Sequence, residues 1–308
     1  MGAPGLGSRA IIGSFYAELQ AVESASWVNK ISMLFDSNQE SETYKWLGMV
    51  PQMREWVGGR QAKGFSENGI TITNKLYEAT LEVLVDEIRR DKTGQVMLRV
   101  GELARRAQEH WAYLLSVLIN ANGTCYDAAT FFSDTHSEGS SGTQDNNLTS
   151  AATTGTDPTA AEMEAAIMDA VEALLAFLDN QGQPMNAGAK EFLVMIPPAY
   201  LKATCGALGS TQISSSSAPV PVVTAVAGMR FEVAVNPFLT GWTSKFALFR
   251  TDSKTKPFIR QEEVPLTVEA IAEGSEEEFT HNRHLYGVRA QRNVGLGYWQ
   301  HGVLHTFT

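Results

Sequence analysis

The sequence predicts an α+β protein, and three observations lead to that prediction. The first is a long amphipathic helix over 93–122, where apolar residues recur every three or four positions. The second is a series of short runs with strand-like alternation, from Tyr44 to Phe307. The third is a region, 158–250, in which helical and strand patterns follow one another as they do in a mixed domain.

Composition limits the class of protein before any motif is considered. The chain has 308 residues, 44% of them hydrophobic, which suffices for two compact domains or one elaborated domain. Its formal net charge is -10, and residues 121–200 account for all of it, with eleven acidic side chains and one basic, Lys190. A DNA-binding surface needs the opposite sign, so high-affinity or sequence-specific DNA binding is disfavoured.

Targeting and redox signals are weak. The longest nearly apolar run, around 218–227, is short and broken by proline, and the first residues lack the apolar stretch of a signal peptide. The expected location is therefore the cytoplasm, with no membrane partner. Cys125 and Cys205 show no metal-ligand or redox spacing and are expected to be reduced, buried thiols.

The first forty residues are expected to form an arm. Its apolar residues predict a short helix followed by an irregular apolar segment; they are Phe15, Leu19, Val22, Trp27, Ile31 and Leu34. They are too sparse to form a core alone. The arm must pack on another part of the molecule or on a neighbour.

Residues 41–92 predict a long hairpin. Tyr44 and Trp46 begin one side, and the return alternates at Ile70, Ile72, Leu81, Val83 and Val85. Between them lies a glycine-broken tip, and such a hairpin cannot bury both faces in its own domain. The candidate contacts with another subunit are Trp46, Arg54, Trp56, Arg60, Lys63 and Phe65. The alternative is a surface hairpin folded back on the body.

The helix over 93–122 carries one apolar stripe. Its expected core residues are Val100, Leu103, Trp111, Leu114 and Leu118, and Val96 and Ala107 extend the same face. Thr93 offers an N-cap hydroxyl, and Asn122 with Gly123 tolerates the geometry of a helix end. At 1.5 Å per residue the helix would be roughly 40 Å long. Such a length favours a spine, although an ordinary core helix has the same periodicity.

The remaining elements follow in order. A second amphipathic helix starts at 157–159 and is expected to end at Asn180 and Gly182. Another helix is expected over 199–208, and 273–278 is expected to be a solvated turn. Strands are predicted at 192–196, 220–226, 229–235, 245–249, 258–261 and 264–270, and the chain closes with a β-rich tail over 295–307.

No catalytic or metal-binding constellation is apparent. His281 and His284 are the best metal candidates, followed by His301 and His305, but no carboxylate or cysteine is placed to complete either site. There is no phosphate-binding glycine loop, nucleophile-elbow serine or defensible carboxylate pair. The chain is expected to be no enzyme and to hold no cofactor.

Five ordered segments resemble the major head subunit of Mu-like phages. They are YKWLGMVPQMREWVGGR (44–60), YDAATFFSDTH (126–136), LVMIPPAYLKA (193–203), KPFIRQEEVP (256–265) and HNRHLYGVRAQRNVGLGYWQ (281–300). The resemblance implies the tailed-phage major capsid fold of the Hong Kong ninety-seven type. Mapped onto this chain, that fold has an N-terminal arm (1–40), an extended loop (41–92), a peripheral domain with the spine helix (93–157), an axial domain (158–250) and returning peripheral strands (251–308).

The resemblance also implies a function. Such a subunit forms hexamers and pentamers in an icosahedral or prolate virion shell, assembled in the bacterial cytoplasm around double-stranded DNA. Its implied partners are a portal, decoration proteins and a separate scaffolding protein, since only about forty residues precede Tyr44. An encapsulin-like cellular compartment and an enzyme of unknown class are the alternatives.

Overall fold

The computed structural model describes residues 7–21, 25–45, 69–91, 94–209 and 228–308. The helices are α1 (Ser8–Ala21), α2 (Trp27–Ile31), α3 (Val85–Arg90), α4 (Gln95–Ala121), α5 (Ala160–Ala176), α6 (Leu201–Gly209) and α7 (Glu276–His281). The strands are β1 (Ser32–Asp36), β2 (Ser41–Tyr44), β3 (Ile70–Thr73), β4 (Lys75–Leu84), β5 (His136–Ser137), β6 (Thr143–Gln144), β7 (Asn147–Ser150), β8 (Glu191–Ile196), β9 (Arg230–Val235), β10 (Lys245–Arg250), β11 (Phe258–Ile271), β12 (Arg283–Leu296) and β13 (Gly302–Phe307). This is the expected α+β composition.

Two sheets organise the described part of the chain. A four-stranded sheet has the order β1-β11-β12-β4, in which β1 is parallel to β11 and the other neighbours are antiparallel. A five-stranded sheet has the order β7-β13-β10-β8-β9, with parallel pairs at both edges. Its strand β8 is buried from Phe192 to Ile196, which explains why this strand reads as a continuous apolar run.

Helix α4 links the two sheets and has the predicted spine character. Its 27 residues bury one stripe, and Asn122 ends it in left-handed geometry with φ 44°. At the other end Gly94 occupies the N-cap position, and the Asp91 carboxylate accepts hydrogen bonds from the backbone N–H groups of Gln95 and Val96, both at 3.0 Å. The predicted cap, Thr93, lies outside the described residues.

The arm is more regular than expected. Instead of one short helix and an irregular segment, it forms α1, α2 and the edge strand β1. Ile11 and Phe15 are buried on the same apolar cluster as Val96 and Val100 of α4. The arm therefore packs on its own subunit, one of the two outcomes that its sparse apolar pattern allowed.

The predicted hairpin over 41–92 is partly wrong. β2 and β3 do pair in antiparallel fashion, from Ser41 opposite Thr73 to Tyr44 opposite Ile70. β4 does not return alongside β2, because it pairs over ten residues with β12. Val85, expected in that strand, instead begins α3. Alternation identified these strands, but alternation does not specify the partner strand.

Three other boundaries differ from the predictions. Helix α5 begins with a capping box of Thr159 and Glu162 but ends at Ala176, short of the expected Asn180, where Phe177 turns extended and its ring packs 5.3 Å from that of Trp299. β11 is one strand with register shifts near Val264 where two strands were expected. The solvated turn expected over 273–278 is in part the helix α7.

Helix 199–208 begins as a 3-10 turn, Pro198–Tyr200, before α6. Cys125 is buried as expected, but Cys205 on α6 is exposed. The strand predicted at 220–226 lies outside the described residues. Among the helices of the described ranges, none combines the length and apolarity needed to cross a membrane.

Candidate assembly surface

The predicted subunit contacts lie in a segment whose two ends are fixed. Trp46, Arg54, Trp56, Arg60, Lys63 and Phe65 all fall between 46 and 68, outside the described residues. On either side of that segment, the β2–β3 pair is held on β11. The Tyr44 hydroxyl donates to Gln261 Oε1 at 2.8 Å, and the Gln261 amide donates to the Ile72 carbonyl and to Asn74 Oδ1 at 3.2 and 2.9 Å.

The expected core residues of α4 divide between two apolar clusters. Val100 is buried in the cluster formed with α1, β4 and β12, and Leu103 lies half-buried at its edge. Trp111 and Leu114 are buried in the larger cluster, which includes α5 and the five-stranded sheet, with Leu118 half-buried against it. One helix face thus contributes to both cores.

Trp111 lies where α4 crosses the four-stranded sheet. It is 9% exposed, and the guanidinium carbons of Arg292 and Arg260 lie over its ring, 4.6 and 5.4 Å from the centroid. Such cation–π contacts gain strength when the groups are withdrawn from water. The indole therefore joins α4 to β11 and β12 through two arginines.

Hydrogen bonds hold both arginines in place. Arg292 donates to His110 Nδ1 at 3.1 Å and to the Ala107 carbonyl at 3.3 Å, and it lies 3.7 Å from the Glu262 carboxylate. Arg260 donates to Asn29 Oδ1 in α2 at 2.7 Å. Sequence reasoning missed these residues. The available signal was an arginine within a strand and two positions from an apolar residue on the same face, with Phe258 before Arg260 and with Ala290 and Val294 on either side of Arg292.

The candidate metal-binding histidines serve separate local roles. His281 Nδ1 lies 3.1 Å from the Glu277 carboxylate of α7, and His284 Nε2 lies 3.6 Å from that of Glu278. His305 lies in β13, where its ring stacks on Phe246 at 5.2 Å. Within the described ranges, no three His, Cys, Asp or Glu side chains converge on a position suited to a metal ion.

His301 belongs to a buried hydrogen-bond network. Its Nδ1 lies 3.0 Å from Asn186 Oδ1, which also accepts from Arg250, so Nδ1 carries the proton. Its Nε2 then accepts from the Thr255 hydroxyl at 2.9 Å. Burial, reinforced by the charges of Arg250 and Lys256, lowers the pKa of His301 to about 3. The network thus holds a neutral imidazole.

The aromatic segment 126–136 forms part of the core. His136 Nδ1 lies 2.6 Å from the Asp127 carboxylate, with both side chains almost fully buried, and its ring stacks on Trp299 at 3.8 Å. Its Nε2 faces the Phe131 carbonyl at 3.2 Å. A carboxylate that sequence reasoning assigned to the acidic surface is therefore internal.

The acidic character of 121–200 is otherwise largely exposed. Besides Asp127, Asp179 is buried and accepts backbone N–H groups of its own turn. Six of the eleven acidic residues are exposed, namely Asp134, Asp145, Asp157, Asp169, Glu172 and Glu191. These side chains support an acidic surface on this part of the subunit.

A groove of about 260 Å³ opens between α4 and the four-stranded sheet. Its apolar walls are formed by Tyr77, Ala79, Leu103, Ala107, Leu266, Val288 and Ala290. The charged residues that line it are Arg106, Arg289, Arg292 and Glu78, so positive charge predominates. His110 also lines it, and burial, with the nearby charge of Arg292, lowers the pKa of His110 to about 4.

The sequence of this chain matches a known protein family over most of its length. The family described as Mu-like prophage major head subunit gpT matches residues 9–162 and 221–306. The chain belongs to this family. This Mu-like head subunit is 34% identical over 116 residues to the major capsid protein of Escherichia phage Mu, and 30% identical over 119 residues to the Mu-like prophage FluMu major head subunit of Haemophilus influenzae. These alignments cover 37% and 38% of the chain, and 38% and 39% of the respective relatives.

The fold of the Mu-like head subunit is that of phage capsid proteins. It is similar to a chain of the bacteriophage JBD30 procapsid with a TM-score of 0.55 and 23% sequence identity, and the match covers 97% of this chain and 74% of the other. The tailed-phage capsid fold that the five sequence segments implied is thereby confirmed.

Proposed function

We propose that this chain is a major capsid protein whose copies assemble into the head shell of a tailed bacteriophage, enclosing double-stranded DNA. The match of the Mu-like head-subunit family to both halves of the chain is the main support. The shell would be icosahedral or prolate and built of hexamers and pentamers. In this role the subunit needs contacts between copies and no active site, and it becomes part of the virion after assembly in the host cytoplasm.

The domain boundaries expected from the sequence support this proposal, with one boundary moved. The extended loop is best taken as 41–74, because β4 is paired throughout with β12. The five-stranded sheet with α5 and α6 would form the axial domain, although β7 and β13 lie outside the 158–250 range. The four-stranded sheet with α1 and α4 would form the peripheral domain.

The proposed partners are other copies of this chain, a separate scaffolding protein, a portal and decoration proteins. DNA would be enclosed without sequence-specific contacts, consistent with the acidic exposed surface of 121–200. No cofactor is proposed.

Electron microscopy of the purified chain tests the proposal. We expect shells, tubes or capsomer rings in negative stain. Uniform shells are expected only when the neighbouring phage genes supply a scaffold, and irregular or absent shells without it. Uniform, correctly sized shells from the chain alone would contradict the scaffold requirement. A protein that stays monomeric at high concentration, with and without those genes, would contradict the capsid function itself.

A further inference from the structure

Helix α7 presents an aromatic side chain to solvent on a well-held turn. Phe279 is 93% exposed, although it lies within a helix fixed at both ends. Ser275 accepts a hydrogen bond from the Glu278 N–H at 3.2 Å, and Asn282 closes the other end with φ 51°. A side chain on so fixed a support loses little conformational freedom on binding. Aromatic anchors of this kind dominate the energetics of many interfaces.

The surroundings of Phe279 are acidic. Glu276, Glu277 and Glu278 precede it directly. Glu277 bonds Arg283 at 2.8 Å and Glu278 faces His284, while Glu276 is exposed. Because Glu277 and Glu278 already face basic side chains of their own chain, the partner that suits this helix offers an apolar recess and a positive charge near Glu276.

The groove between α4 and the four-stranded sheet has that chemistry. Its walls are mainly apolar, and three arginines line it, of which Arg289 pairs with Glu269 at 2.9 Å and Arg292 with Glu262 at 3.7 Å. Arg106 is the most accessible of them, since its side chain is 77% exposed and it makes a 3.6 Å contact with Glu102, which is half-exposed itself. The aromatic helix and the groove are thus complementary in both polarity and charge.

The groove is also of sufficient size. An enclosed apolar cavity of ~150 Å³ accommodates benzene, so an open groove of about 260 Å³ can accept the phenyl ring of a phenylalanine. The Phe279 ring of the same chain does not occupy the groove, because it is almost fully exposed.

We propose that Phe279 of one copy of this chain inserts into the α4–sheet groove of a second copy, with Glu276 of α7 facing Arg106 of the groove. The contact joins two different surfaces and is therefore heterologous, the type that closes copies into rings. This inference rests on the proposed capsid function and specifies one contact by which the copies associate.

The first test removes the aromatic ring. Phe279→Ala should raise the protein concentration needed for shells or capsomer rings by about tenfold or more, as loss of an interface anchor does. Leu98→Ala is the matched control, because Leu98 is a 74% exposed side chain on α4 that does not line the groove. Circular dichroism should be unchanged in both. Equal assembly by the two variants would overturn the inference.

Charge exchange tests the pairing itself. Arg106→Glu and Glu276→Arg should each weaken assembly, and the double variant should recover most of the loss. A double variant as weak as the sum of the single losses would contradict the predicted pairing.

A cross-link tests the proximity. In a Cys205→Ser background that keeps Phe279, Thr280→Cys with Ala107→Cys should give disulfide-linked dimers and larger species on oxidation, whereas Thr280→Cys with Leu98→Cys should not. Absence of the first cross-link in assembled particles would overturn the inference and leave the capsid function intact. Failure of the unmodified chain to assemble under any condition would instead count against the capsid function.

Discussion

Trp111 shows how one residue acquires a structural role that its sequence position only partly indicates. Periodicity placed it on the apolar stripe of α4, and the structure buries it there. The two arginines over its ring come from β11 and β12, more than a hundred residues later in the chain. No local pattern around Trp111 contains that information.

Trp111→Ala should lower the free energy of unfolding by about 3–5 kcal/mol, the usual cost of removing a buried tryptophan. The loss leaves a cavity and also removes a ring that two buried guanidinium groups face. Urea denaturation followed by circular dichroism measures the change, with Leu98→Ala as the exposed control on the same helix. A loss below about 1 kcal/mol would show that α4 does not pack through this stripe.

The stability of the subunit should fall on acidification because of His301. Its pKa is near 3 when folded, and in an unfolded chain it is ~6.5. Between these values the unfolded state binds the additional proton, so stability decreases as pH is lowered from about 6.5 towards 3, by at most ~1.4 kcal/mol per pH unit. His110, with its pKa lowered to about 4 by burial, contributes with the same sign.

His301→Gln is the variant to compare, because an amide can both donate to Asn186 and accept from Thr255. Urea midpoints measured from pH 7 to pH 4 should fall less steeply for the variant than for the natural chain. Identical slopes would mean that His301 is not held neutral in the folded state.

At the scale of elements, side-chain pattern predicted the individual strands better than their pairing. β4 alternates as a hairpin strand would, but it lies beside β12, and its register there brings Tyr286 opposite Leu81. Helices α4 and α1 of the same subunit cover the apolar face of β4. The β2–β3 pair is covered by the small cluster around Ile72 and Ile259, and Ile70 of β3 also packs against the larger core.

Deleting residues 59–68 should therefore leave the fold intact and prevent shell formation, since the hairpin tip is proposed to contact a neighbouring subunit. The β2–β3 base is held independently through Tyr44 and Gln261. Circular dichroism and urea midpoints should match those of the full chain, whereas microscopy should show no closed shells. Normal shells from the deletion would rule out a role for the tip in assembly.

At the scale of the whole molecule, charge is unevenly distributed. Residues 121–200 carry all the net charge, and six of their acidic side chains are exposed. Like-charged surfaces brought together around a capsomer axis repel one another, and salt screens that repulsion over a Debye length of about 8–10 Å.

Assembly should therefore improve as the salt concentration rises from low to moderate values. Light scattering at several salt concentrations measures the extent of assembly. A matched variant, Asp169→Asn with Glu172→Gln on the exposed face of α5, should assemble better at low salt and respond less to added salt. Assembly that weakens steadily as salt is added would count against repulsion by this surface and would favour a role in solubility alone.

The sequence by itself determined the class of fold, the spine helix and most strand positions, because each depends on local periodicity and capping. Five ordered segments sufficed to indicate the family. The sequence could not determine that α5 ends at Ala176, because Phe177 leaves the helix to pack on Trp299, a residue distant in the chain.

Only the tertiary structure decided the partners of β4, the two arginines over Trp111 and the groove beside α4. Strand pairing and the burial of paired charges depend on contacts between residues far apart in the chain. The free energy of such contacts depends on how far the groups are removed from water and on their relative positions, and both are set only when the chain has folded. Periodicity along the chain carries no information about such contacts.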